Sequence, residues 1–182
     1  MESCDGWKKR SYETPAVTVG ASSWSFREED GQRLQAILTR FLRDAGARTA
    51  LIVDRTGQLV ATVGEAPVFD PTAFASLTAA DFSANDQLAR MLGEPEFGVL
   101  FHQGERESMY LADIARRVIL VVLFDNRTTL GLVKLRVKPA VGELNQLFVA
   151  MFERDGAGAS GPGMATEFVG EAEDEIDKLF GA

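Results

Sequence analysis

Residues Arg117–Arg136, RVILVVLFDNRTTLGLVKLR, join an unbroken apolar run, a short polar corner and an amphipathic continuation. Val118–Phe124 is rich in branched and aromatic side chains and too short alone for a typical helix, so it reads as a strand covered on both faces. Asp125 and Asn126 suit a turn, and Thr128 or Thr129 can cap the next helix by accepting an orphan backbone N–H. Leu130, Val133, Val137, Val141, Leu144, Phe148 and Met151 then recur at steps of three and four, which predicts a long helix laying one apolar face on the sheet. Val133, Leu135 and Val137 also alternate with charges as in a strand, but that pattern is the shorter of the two. Pro139 and Gly142 interrupt the helix, and an interior proline costs about 3 kcal/mol unless the helix bends or restarts.

Upstream, Ser25 and Glu28 have capping-box spacing, and Leu34, Ile37, Leu38, Phe41, Leu42 and Ala45 form a helical apolar face that Gly46 can stop. Gly31 inside that helix favours fraying of its first turn, since glycine costs up to about 1 kcal/mol relative to alanine. Thr49–Val53 and Gln58–Val63 are β-branched runs joined by Asp54, Arg55, Thr56 and Gly57, the composition of a hairpin with a bulged turn. Asp70 and Pro71 read as the N-cap and first position of a second helix, which runs to Met91 and Leu92 before Gly93 and Pro95. Phe74, Leu77, Ala84, Leu88 and Met91 are expected to face its core. Val99–His102 and Met109–Ile114, with Gly104 between them, complete the strands, and Ala115–Arg117 lead into Val118. The order is αββαβββα: an α+β fold with a five-stranded antiparallel sheet and helices on its faces.

At 182 residues and 46% hydrophobic content, the chain can bury one core, so one domain with tails is expected. Residues 1–24 read as a disordered tail, in which Trp7 and Trp24 could dock but a plain tail is the favoured reading, 25–153 as the domain, 154–170 as a flexible linker and 171–182 as an acidic amphipathic helix. Net charge of −8 and a pI near 4.8 argue against nucleic acid as the main partner. No run has the roughly 18 apolar residues of a membrane span, and no apolar secretory h-region opens the chain, so membrane insertion is not expected and a cytoplasmic location is. The single cysteine, Cys4, excludes an internal disulfide.

Catalytic signals are weak. His102 is the only histidine and has no cysteine beside it, so neither a metal nor a cofactor is expected. Asp113 is expected to face solvent or a dimer edge. DGAGASGPG, residues 155–163, lacks the lysine and the strand-to-helix setting of a phosphate-binding loop. Arg116, Arg117 and Arg127 invite comparison with arginines inserted in trans during phosphoryl transfer, but structural roles are favoured, with Arg127 binding strand-end carbonyls.

Two surfaces fit partners. On the second helix Ser76, Ala79, Ala80, Ser83 and Ala84 are small and let another backbone approach, although alanine also simply favours helix. In the C-terminal segment, Ile176, Leu179 and Phe180 fall at i, i+3 and i+4 behind Glu171, Glu173, Asp174 and Glu175. That spacing suits an apolar anchor entering a partner's groove, and a solubilising acidic tail is the alternative.

LIVDRTGQLVATVG (51–64), FASLTAADF (74–82), FHQGERESMYLADI (101–114) and LVVLFDNRTTLGLVKLR (120–136), in this element order, resemble the Roadblock/LC7 family, whose fold is profilin-like. Within it the resemblance is to the bacterial MglB proteins, and the closing EDEIDKLF (173–180) extends it. This resemblance implies a homodimer joined across a two-fold axis, with second helices side by side, that binds the Ras-like GTPase MglA. It implies stimulation of GTP hydrolysis in cell polarity and gliding motility, with no catalytic site of its own. Ser76, Ala79, Ala80, Ser83, Ala84 and Gln87 would then form the dimer and GTPase contact helix, and Ile176, Leu179 and Phe180 a docking helix. Asn85, Asp86 and Gln87 depart from the smaller residues found there in the family. The alternative is a Roadblock scaffold that binds a GTPase or polarity proteins without stimulating hydrolysis.

Overall fold

The computed structural model describes residues 26–159, and side chains as far as Asp155. The elements are α1 (Glu28–Ala45), β1 (Thr49–Asp54), β2 (Leu59–Gly64), α2 (Pro71–Leu92), β3 (Val99–Gln103), β4 (Ser108–Ile114), β5 (Val118–Phe124) and α3 (Leu130–Ala159). Every neighbouring pair in the sheet is antiparallel, in the order β2-β1-β5-β4-β3. The apolar run Val118–Phe124 is therefore the central strand. Alternation along it divides the core: Val118, Leu120, Val122 and Phe124 pack with α1 and α3, whereas Ile119 and Val121 pack with α2. The result is three layers, with two helices on one face and one on the other.

The corner after β5 uses both threonines. Thr129 Oγ1 accepts the Leu132 N–H at 3.3 Å and caps α3, while Thr128 Oγ1 donates to the Ala45 carbonyl at 2.6 Å and ties the corner to the end of α1. Gly46 takes φ 65° there and closes α1. The predicted apolar face of α3 is the packed one, with Val133, Val137, Leu144, Phe148 and Met151 buried. Pro139 does not break the helix. It lies on the exposed side, where a carbonyl freed by the missing N–H can be hydrated.

Three local expectations change. The α1 N-cap is Arg27, whose N–H donates to Asp30 Oδ2 at 3.3 Å, so the acid half of a capping box comes from Asp30 rather than Glu28. Arg154 binds the same carboxylate, with Nη2 at 2.5 Å from Oδ2, and α3 continues to Ala159 through residues assigned above to the linker. Ion pairing across α1 and α3 at this end favours continued helix over loop. Asp113 faces neither solvent nor an edge. It binds Arg55 and accepts the Arg116 N–H at 2.9 Å, bracing a two-residue turn in which Ala115 and Arg116 both have positive φ. Residues 1–25 and 160–182, with the tail assignments made on them, lie outside the described residues.

Candidate functional site

The main departure from expectation is the rotation of α2. Asp70 caps it by accepting the Thr72 N–H at 2.9 Å, Pro71 opens it and Gly93 closes it at φ 74°, as the sequence predicts. The residues against the sheet, however, are Ala75, Thr78, Ala79, Phe82, Asn85 and Ala89. Of the expected core stripe only Phe74 is partly covered by that cluster. Leu77, Leu88 and Met91 point away, with 70%, 55% and 83% of their surface exposed. Ala84 is exposed too.

Small side chains explain the orientation. Three alanines let the helix axis approach the sheet closely, and Phe82 is the one large side chain the helix buries, in a cluster with Leu51, Leu111, Ile119 and Val121. Two polar side chains on this side of the helix are engaged: Asn85 Nδ2 donates to the Phe97 carbonyl at 2.9 Å, and the half-buried Asp86 binds Arg55. Gly57, at φ 90°, lets the β1–β2 turn close on α2, since a Cβ there would lie 3.0 Å from Ser76 Cα. Arg55, from the same turn, sets its guanidinium 4.6 Å from the Phe82 ring centroid while binding Asp86 and Asp113. Burial opposes its charge, yet the hydrogen bonds to Asp113 and then Asp86 outweigh burial and raise its pKa above the usual arginine value.

The outer face of α2 collects most of the predicted contact residues. Ser76, Ala80, Ser83, Ala84 and Gln87 are exposed on it, whereas Ala79 is buried against the sheet. Asn85 and Asp86 are turned inward, so of the three residues that depart from the family pattern only Gln87 is presented. Ala73, Leu77, Ala80, Ala84, Leu88 and Met91 follow one another at intervals of three and four and form a shallow apolar shelf. Burying a leucine or methionine side chain is worth about 1.5–3 kcal/mol, so this shelf favours a covering surface. The leucines and methionine were missed as site residues because their spacing also suits a core stripe. Ile176, Leu179 and Phe180 lie outside the described residues.

The other candidates have structural employment. Arg127 binds carboxylates rather than carbonyls: Nε donates to Asp125 Oδ1 at 3.0 Å and Nη1 to Glu65 Oε1 at 2.9 Å. Its hydrogen bond holds the Asp125 carboxyl below the usual range, and with Arg48 it does the same to Glu65. Arg117 lies over the Phe152 ring and Arg116 pairs with Glu96 at 2.8 Å. His102 Nε2 is 2.8 Å from Asp81 Oδ2, linking the edge strand β3 to α2. Among the described residues no three His, Cys, Asp or Glu side chains could hold a metal, and no helix is long and apolar enough to cross a membrane.

No protein of curated function matches the chain. Solved structures do. Myxococcus xanthus MglB is 42% identical, with 70% of this chain and 95% of that one covered and a TM-score of 0.66. The gliding protein MglB of Thermus thermophilus is 34% identical over 69% of this chain and 95% of its own, at a TM-score of 0.64. An MglB with a tetrameric arrangement is also 34% identical, over 69% and 94%, at 0.64. Residues 33–124, which run from α1 to the end of β5, match the Roadblock/LC7 domain, and the chain belongs to the Roadblock/LC7 family.

Proposed function

We propose that the protein is a homodimeric regulator of a small Ras-like GTPase of the MglA type, acting in the cytoplasm in bacterial polarity or gliding motility and accelerating GTP hydrolysis. The observation that carries this reading is the outward apolar shelf of α2. Leu77, Leu88 and Met91 are large enough to anchor a second copy, and Ser76, Ala80, Ser83 and Ala84 are small enough to let two helices lie close. The tetrameric arrangement of a related MglB supports self-association as the assembly mode. Paired helices would create one continuous platform for the GTPase.

The chemistry would belong to the GTPase. Arg127 is engaged by two carboxylates, which supports a regulator that reorganises its partner rather than donating a catalytic arginine. Such a regulator accelerates hydrolysis only by binding the catalytically ordered switch conformation more tightly than the resting one. The C-terminal anchors Ile176, Leu179 and Phe180 would hold the complex or act at a remote groove. A single-turnover GTP hydrolysis assay with the cognate MglA-like protein tests the proposal, with acceleration by the added chain as the expected result. Binding without acceleration would favour the scaffold alternative.

A further inference from the structure

The outer side of α3 carries a second unpartnered surface. Residues 130–142 contain three cations, Lys134, Arg136 and Lys138, and no acid. All three are exposed, and among the described residues none is in an ion pair. Between them rises an apolar ridge of Leu132, Leu135 and Pro139, with Leu135 61% exposed. Helical geometry places Lys134 and Lys138 on one flank of this ridge and Arg136 on the other. The neighbouring cations of α1 are already engaged, Arg40 with Glu143 and Arg43 with Asp44. An unpaired basic ridge on a chain of net charge −8 calls for an acidic, amphipathic occupant.

The chain contains one. Residues 160–182 hold six carboxylates and one lysine, and the acids Glu171–Glu175 run directly into the apolar triplet Ile176, Leu179 and Phe180. We propose that residues 171–180 dock on the outer face of the first half of α3 in the same chain, apolar triplet on the Leu132–Leu135 ridge and carboxylates against Lys134, Arg136 and Lys138. The lengths agree. From Ala159 back to Leu135 is about 36 Å along the helix, at 1.5 Å per residue. Residues 160–170 would reach roughly 20 Å at the dimensions of a random coil, and residues 171–180 would add about 15 Å as a helix, so an antiparallel return would end beside Leu135. The α2 shelf fits this segment less well, because Arg90 is the only cation on that helix. This docking goes beyond the regulator reading and does not depend on it. If both hold, the tail must leave α3 before it can engage a GTPase.

The test uses the full chain without any GTPase. With Cys4→Ser and Ala182→Cys, a nitroxide on the new thiol should erase the amide signals of Leu135 and Val137 in a 15N spectrum. They should survive when the nitroxide is carried only by a second, unlabelled copy. Replacing Lys134, Arg136 and Lys138 with glutamate should restore the signals. Adding Glu171→Lys, Glu173→Lys, Asp174→Lys and Glu175→Lys to that variant should erase them again. Unaffected signals in the first sample would overturn the proposal, as would loss from the second copy's label alone. Loss that begins only on addition of phosphatidylglycerol vesicles would also overturn it and assign the ridge to a membrane surface.

Discussion

The guanidinium of Arg55 lies 4.6 Å from the ring centroid of Phe82, and this contact fixes which face of α2 the molecule presents. Arg55 reaches from the β1–β2 turn over the one large side chain that α2 buries and binds Asp86 one turn further along the helix. Phe82→Ala should therefore cost about 3–5 kcal/mol, the range for emptying a buried aromatic site. Arg55→Ala should cost roughly 1–3 kcal/mol by leaving Asp86 and Asp113 without their cation. Urea unfolding of both variants and of the double variant checks the linkage. The double variant should be less destabilised than the sum of the two, because each change removes the same contact.

The shelf that this contact turns outward should decide assembly without affecting the fold. Leu77→Glu with Met91→Glu places charges on positions 70% and 83% exposed in the single chain, so the variant should keep its fold by circular dichroism and lose only the stability that a partner copy adds. Light scattering coupled to gel filtration should show a dimer for the parent chain and a monomer for the variant. A dimer that survived both charges would remove α2 from the interface.

Most of the fold was readable because in each segment one pattern ran longer than its rivals. Seven consecutive apolar residues at Val118–Phe124, branched and aromatic and too short for a typical helix, fit a strand covered on both faces, and the α3 stripe from Leu130 to Met151 needed a sheet to cover it. The orientation of α2 was not readable. Ala75, Thr78, Ala79, Phe82, Asn85 and Ala89 share helical spacing with Leu77, Ala84, Leu88 and Met91, and hydrophobicity favours the second set. What reverses the choice is distance: alanines allow close approach to the sheet, and the partners of Asn85 and Asp86 come from the distant residues Phe97 and Arg55. A periodicity reading contains neither. For the same reason Arg55 carried no signal as the residue that positions the candidate site.

Acid should weaken the molecule at two places. Arg154 holds the Asp30 carboxyl below its usual value of 3.8, and Arg127 does the same for Asp125 and, with Arg48, for Glu65, whose usual value is 4.5. A carboxyl depressed in the folded state adds stability that is present above its unfolded pKa and is lost as pH falls through the folded one. The urea midpoint should thus fall as pH drops from about 5 towards 3. In Arg127→Gln with Arg154→Gln that decline should be shallower. Equal slopes in parent and variant would assign acid sensitivity to other carboxylates.

Two glycines should respond to alanine with opposite signs, which separates backbone need from mere occurrence. Gly64 ends β2 at φ 108°, and a Cβ there would run into the Arg48 carbonyl oxygen as well as the Leu42 side chain. Neither the rigid carbonyl nor the positive φ can accommodate it. Gly64→Ala should destabilise by about 2–4 kcal/mol and loosen the end of β2 where Glu65 meets Arg48 and Arg127. Gly31 sits inside α1 with nothing within 4 Å of a built Cβ, so Gly31→Ala should stabilise by about 0.5–1 kcal/mol through reduced chain entropy. Paired urea curves decide the matter. Stabilisation by Gly64→Ala would mean that the β2 end and its contact with Arg48 can relax, and the network of Arg48, Glu65, Asp125 and Arg127 could not then be a rigid corner.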